Sequence, residues 1–146
     1  MDNTEPLVLS ATLNDDKLTG LVDEFHIESH QPKAMCGEPH LHLMLEVNYL
    51  IGCEMTYQFG ENEVILPANR FCIFWGILPH KVVNVTGEGH VVNAYFPLKE
   101  LIEFGHSESV TKRLMAGEVL VAKHSTDADL ELVRRWVKHR CVSYEE

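Results

Sequence analysis

At 146 residues the chain has the length of one domain, and 45% apolar with 23% charged residues marks an ordinary globular chain rather than a disordered one. A formal net charge of −10, from 12 Lys and Arg against 22 Asp and Glu, argues against nucleic-acid binding through its own surface, because phosphate contacts need clustered cations. The first residues, MDNTEPLVLS, lack the basic-then-apolar pattern of a secretory signal, and no stretch approaches the roughly eighteen consecutive apolar residues of a membrane span. Cys36, Cys53, Cys72 and Cys141 form no C-x-x-C pair, so reduced thiols in a cytoplasmic protein are expected.

Residues 1–17 read as a polar arm with one apolar patch, Leu7-Val8-Leu9. Leu18 to Ser29 reads as one or two strands, and Gln31-Pro32 with Gly37 to Pro39 marks a loop. Short β-rich runs then follow at intervals of about eight to twelve residues. They are Leu41–Ile51, Glu54–Phe59, Glu63–Leu66, Arg70–Trp75, Lys81–Val85 and His90–Phe96, with turn residues such as Gly60-Glu61-Asn62 and Thr86-Gly87-Glu88-Gly89 between them. That rhythm predicts an antiparallel sandwich or barrel over residues 18–96. From Pro97 the period changes. Pro97–Gly105 and Ser107–Ala116 read as short helices, each with a glycine at its end, and Glu118–Ala122 as a short strand. Thr126-x-x-Asp129 resembles a capping box that opens a longer helix to about Val142. On it Leu130, Val133, Val137 and Cys141 fall within about 80° of one another, a narrow seam that either meets another chain or rests on its own sheet. Arg134, Arg135, Lys138 and Arg140 on this helix read as a solvated face.

The stretch Gly37 to Gly52 carries the chemistry. In a strand from His40 to Ile51, side chains alternate, so His40, His42, Met44 and Glu46 point the same way. Leu41, Leu43, Leu45 and Val47 make the other face apolar, which suits a barrel with a site inside and a covered exterior. Two imidazoles and a carboxylate, joined by a third imidazole from Pro79-His80-x-x-x-Asn84, suit a divalent transition metal such as Zn, Ni, Fe or Mn. Met44, Asn48, Tyr57, Trp75, Asn84 and Tyr95 are candidates to line the pocket. His26, His30, His90, His106, His124 and His139 have no partner at metal spacing and read as surface or loop residues.

The order Gly37, His40-x-His42-x-x-x-Glu46, Gly52, Pro67, His80-x-x-x-Asn84 resembles the two motifs of the cupin superfamily. The resemblance implies a jelly-roll barrel holding one metal ion through His40, His42, Glu46 and His80. The family's usual Pro-x-Gly before the second-motif His is here Gly76-Ile77-Leu78-Pro79. A narrower resemblance, carried by Glu46-Val47-Asn48, Phe74-Trp75-Gly76, Pro79-His80, Phe96-Pro97-Leu98 and Leu132 to Trp136, is to the N-terminal effector domain of AraC-type transcription regulators. It implies a barrel that senses a small polar molecule such as a sugar, and a C-terminal helical segment (residues 97–146) that makes a homodimer through the seam. DNA would be bound by a further domain beyond residue 146. The alternative is a metal-dependent cupin enzyme: a dioxygenase, isomerase or decarboxylase.

Overall fold

A computed structural model describes residues 25–103 and 108–143. Its strands are β1 (His26–His30), β2 (Leu45–Phe59), β3 (Asn62–Leu66), β4 (Cys72–Trp75), β5 (His80–Phe96), β6 (Leu120–Val121) and β7 (Cys141–Ser143). Among the described residues three helices join them: α1 (Leu98–Glu103), α2 (Glu108–Met115) and α3 (Asp127–Arg140). The strands form one mostly antiparallel sheet in the order β6-β4-β2-β5-β1-β7, with β3 also paired to β2 and β7 lying parallel to β1. The expected arm at residues 1–17 and the Leu7-Val8-Leu9 patch lie outside the described residues.

Two long strands replace four expected short ones. Residues Leu41–Ile51 and Glu54–Phe59 were expected as separate strands, yet β2 runs through Gly52 without a break. The expected turn Thr86 to Gly89 lies inside β5. The glycines act there as a crease rather than a reversal. Gly52 has φ +77°, and a Cβ on Gly89 would stand 1.9 Å from the Ile51 carbonyl oxygen, so only glycine lets the backbones approach this closely. The ladder shifts register between Ile51 and Cys53. The consequence is measurable. Eleven residues of flat strand span about 36 Å, yet the Tyr57 hydroxyl is 2.9 Å from the Glu46 carboxylate on the same strand. The sheet is folded back on itself.

Side chains then divide by alternation. Inside the fold lie Leu50, Cys53, Met55, Tyr57, Leu66, Cys72, Phe74, Val82 and Val91. The outer face is covered twice. Ile27, Tyr49, Val92 and Ala94 pack under Val133 of α3, with Leu130 and Trp136 beside it. Leu45 packs with Leu114 of α2, together with Ile73 and Trp75.

This layout corrects the seam. Val133 is fully buried against its own sheet, so it cannot meet a second chain. Leu130 packs in the same cluster, and of the seam's described side chains only Val137 is substantially exposed. Cys141 is not on the helix: α3 ends at Arg140, and Cys141 opens β7, paired with Ile27. The N-cap half of the expected capping box is present, with Thr126 Oγ1 accepting from the Asp129 amide at 3.1 Å.

Candidate metal centre and cavity

His42, Glu46 and His80 converge so that one donor atom from each lies within 4.8 Å of the others, a group able to hold a metal ion. Glu46 is the second residue of β2 and is 2% exposed; His80 opens β5 and is fully buried. The sheet's fold brings these two strand ends together. His42 comes from the bend before β2. Its amide donates to Gly76 O at 2.9 Å, and the Gly76 amide donates to Met44 O at 2.9 Å. The imidazole of His42 lies where a side chain on residue 76 would be: a Cβ there would stand 2.0–2.6 Å from the ring atoms. Gly76 is thus the seat of His42.

The three side chains are oriented by their neighbours. His80 donates from Nδ1 to Leu78 O at 2.5 Å, which leaves its Nε2 without a hydrogen bond, 3.3 Å from Glu46 Oε2. His42 Nε2 is 2.9 Å from the same oxygen. The other carboxylate oxygen accepts from Tyr57. Phe74 and Tyr57 stand edge-on to the His80 ring, at centroid distances of 4.8 and 5.7 Å. For His80 and Glu46 this is how metal ligands are usually held, the second nitrogen or oxygen fixed so that the first points inward; His42 is held by its backbone and by Gly76, and its Nδ1 makes no hydrogen bond.

Electrostatics agree. Burial alone would raise the Glu46 carboxyl, but the His42 hydrogen bond and the two imidazoles of His42 and His80 beside it outweigh burial and hold the group well below the usual carboxylate range. Tyr57 is pushed well above its ordinary value by burial and by the Glu46 charge, so it remains a donor. An unsatisfied, buried imidazole nitrogen aimed at a carboxylate is a fit for a cation between them. Donors 2.0–2.2 Å from a first-row ion stand ~2.9–3.5 Å apart, which brackets the 2.9 and 3.3 Å separations seen here.

His40 stands beside this triad and is exposed; its ring centroid is 4.4 Å from that of His80. The expected strand from His40 is not formed. His40 makes only an isolated bridge to His80, and the chain bends at Leu43-Met44 before β2 begins at Leu45. Alternation therefore does not hold across the bend, and Met44 is buried without lining the cavity.

A cavity of about 220 Å³ meets the triad at Glu46; His42 and His80 do not line it. Glu46, His40, Asn93 and Tyr95 supply its polar wall, Met55, Val82 and Val91 its apolar wall, and the segment His30 to Met35 its cover. That cover is tied down by the Met35 amide, which donates to Val82 O at 2.8 Å. Of the expected lining residues, Tyr57 and Tyr95 are in place. Asn48 is buried on the inner face, next to Tyr57. Trp75 is not in the cavity: it is on the outer face, its Nε1 donating to Leu43 O at 3.1 Å. Asn84 is exposed, because a register shift between Thr56 and Tyr57 skips Val83 and breaks the alternation from His80.

Sequence reasoning missed Gly76, Phe74 and Asn93. Asn93 left a legible signal, a single amide inside the apolar run Val91 to Phe96. The role of Gly76 left none, since only coordinates show what occupies its missing side chain. His26 was expected as a surface or loop residue, but its Nε2 donates to Glu28 Oε1 at 2.9 Å, both side chains about four-fifths buried.

No family model matches this chain, and no curated protein matches it. Among the described residues no helix is long and apolar enough to cross a membrane.

Proposed function

We propose that this chain is the sensing and dimerisation domain of an AraC-type transcription regulator, a cupin jelly roll whose cavity binds a small polar effector beside a divalent transition metal. The observation that carries the reading is the convergence of His42, Glu46 and His80 beside a cavity of about 220 Å³. His40 is the fourth donor in this proposal, on the solvent side of the triad. A bound metal supplies a Lewis acid to an oxygen of the effector. The chain's own residues do the rest: Tyr57 fixes Glu46, Leu78 O fixes the face of His80, and the segment from His30 to Met35 borders the cavity mouth.

The route from cavity to helix favours a sensor. His30 borders the cavity and ends β1, while Ile27 of the same strand is buried under Val133 of α3, and β7 follows α3 back onto β1. A ligand that prefers one position of β1 would bias α3 and whatever chain follows it. In this proposal the protein is cytoplasmic, pairs as a homodimer through the exposed side of α3, and reaches DNA only through a further domain. The second reading, a metal-dependent enzyme, is favoured by the His26–Glu28 pair, whose imidazole lies 5.7 Å (ring centroids) from Tyr95 at the cavity wall. It would supply the acid–base group that an enzyme needs.

Elemental analysis of protein grown with Zn, Ni, Fe and Mn tests the centre. One equivalent of metal per chain is expected, lost in His80→Ala and His42→Ala. A blank in every supplemented preparation overturns it. Titration of the full-length protein on its operator DNA, with and without a candidate effector, separates regulator from enzyme.

A further inference from the structure

The inner face holds a second polar feature, one rung of the ladder away from Glu46. Asn48 of β2 is directly opposite Asn93 of β5. Both are buried, at 1% and 5% exposure. Neither the Oδ1 nor the Nδ2 of Asn48 makes a hydrogen bond, and Asn93 Oδ1 has none either. Asn48 lies beside the Tyr57 hydroxyl, and that hydroxyl donates to Glu46. Three orphaned atoms on one cross-strand pair are unusual, because buried amides are almost always satisfied. Packing does not ask for amides here. The next rung is Leu50 opposite Val91, and Val92 and Ala94 flank Asn93. An apolar pair of the same size would remove the defect. Asn93 also borders the cavity.

We propose that Asn48 and Asn93 form a recognition subsite for a neutral ligand group that both donates and accepts hydrogen bonds: adjacent hydroxyls or a carboxamide. Two amides offer acceptors and donors side by side and no charge. In the metal-free chain Glu46 on the neighbouring rung sets the sign, since an anionic group placed there would meet like charge. The subsite rests on the cavity being a ligand site, but not on a metal being present.

The competing explanation is a structural network closed by buried water. The two differ in what an isosteric apolar replacement does. Asn48→Leu and Asn93→Leu are compared with the wild-type chain as purified, with metal content measured alongside. The probes are galactose, myo-inositol and nicotinamide, with galacturonate as the anionic control, followed by saturation-transfer NMR. At least one neutral probe should bind the wild type and bind each variant ten-fold or more weakly, while galacturonate does not bind the protein stripped of metal. Thermal midpoints of the variants should equal or exceed that of the wild type. The proposal is overturned if no neutral probe binds, if binding survives both substitutions, or if both variants melt well below the wild type, as loss of a water-closed network requires. Should the leucine variants fail to fold, Asn93→Ser, which shortens the reach but keeps a hydroxyl, must show the same weakening. A blank metal analysis with amide-dependent probe binding would sink the metal centre and leave this subsite standing.

Discussion

The long hairpin of β2 and β5 has two halves that differ in what they turn inward. Before the crease at Gly52 the inward residues are Glu46, Asn48, Asn93 and Tyr95, with one apolar rung, Leu50 and Val91, next to the crease. Beyond it they are Cys53, Met55, Tyr57 and Val82, joined by Leu66 and Phe74. One half is polar and incompletely satisfied; the other is apolar and closely packed. The lesson lies in how they meet. The polar half cannot hold its charge alone, and every group that steadies Glu46 from across the fold comes from the far end of the hairpin: the Tyr57 hydroxyl and the His80 imidazole. The packed half is therefore both the source of stability and the outer support of the centre. Cys72 illustrates the contrast, its thiol pushed up to about 12 by burial and so unreactive, where Glu46 stays charged at similar depth.

The largest test of that division is Phe74→Ala. The ring is fully buried and packs on Tyr57, Phe59 and His80. Its removal should cost about 3–5 kcal/mol in urea unfolding and should lower metal affinity as well, since it backs His80. Loss of stability with metal affinity intact would separate the two halves that are joined here. Next is Val133→Asp, on the outer face. A carboxylate placed under α3 against Ile27 and Tyr49 has no partner, and a loss of about 3 kcal/mol is expected. If stability holds and only the oligomer dissociates in sedimentation, the helix meets another chain after all.

The third test strikes the polar half alone. Gly76→Ala puts a methyl where the His42 ring lies. Metal affinity should fall about 10–100-fold, with the unfolding midpoint changed far less than by Phe74→Ala. Fourth comes acid. The Glu46 carboxyl is held below its ordinary value of 4.5 in the folded state. Its contribution to stability is therefore complete above that pH and is lost as pH falls below it toward the folded-state value. Urea unfolding of metal-free protein from pH 7 to pH 3 should show this loss, and Glu46→Gln should flatten that part of the curve. A curve unchanged by the substitution would mean that the imidazoles do not stabilise the carboxylate.

Much of this was legible in the residues. Period-two alternation placed Leu45 outside and Glu46 inside, and the pairing of His42 and Glu46 with His80 followed from donor chemistry and the cupin-like spacing. What failed did so where local rules meet tertiary geometry. Glycines read as turns because that is their commonest use, yet Gly52, Gly87 and Gly89 let two strands pass through a crease. Trp75 and Asn84 were assigned to the pocket by type and spacing, but a bulge at Val83 and the strict alternation of β4 send both outward. The apolar stripe of α3 was visible. Which surface it covers was not, because a helix that packs on its own sheet and one that packs on another chain show the same periodicity.

The smallest effect isolates that helix. Thr126 caps α3 by accepting from the Asp129 amide, and Asp127 and Asp129 add negative charge at the end where the helix dipole is positive. Thr126→Ala removes the side-chain oxygen and leaves an amide to find water, at a cost of about 1 kcal/mol. The cap is exposed and lies on the outer side of the sheet, remote in packing from Glu46 and His80. Metal content should therefore stay at the wild-type value while the unfolding midpoint drops slightly. If the cavity is coupled to α3 through β1, loosening the first turn of the helix should also weaken the stabilisation that a bound effector confers on it. Equal stabilisation of wild type and variant by the same effector would show that the cavity and the helix share a strand without sharing a switch.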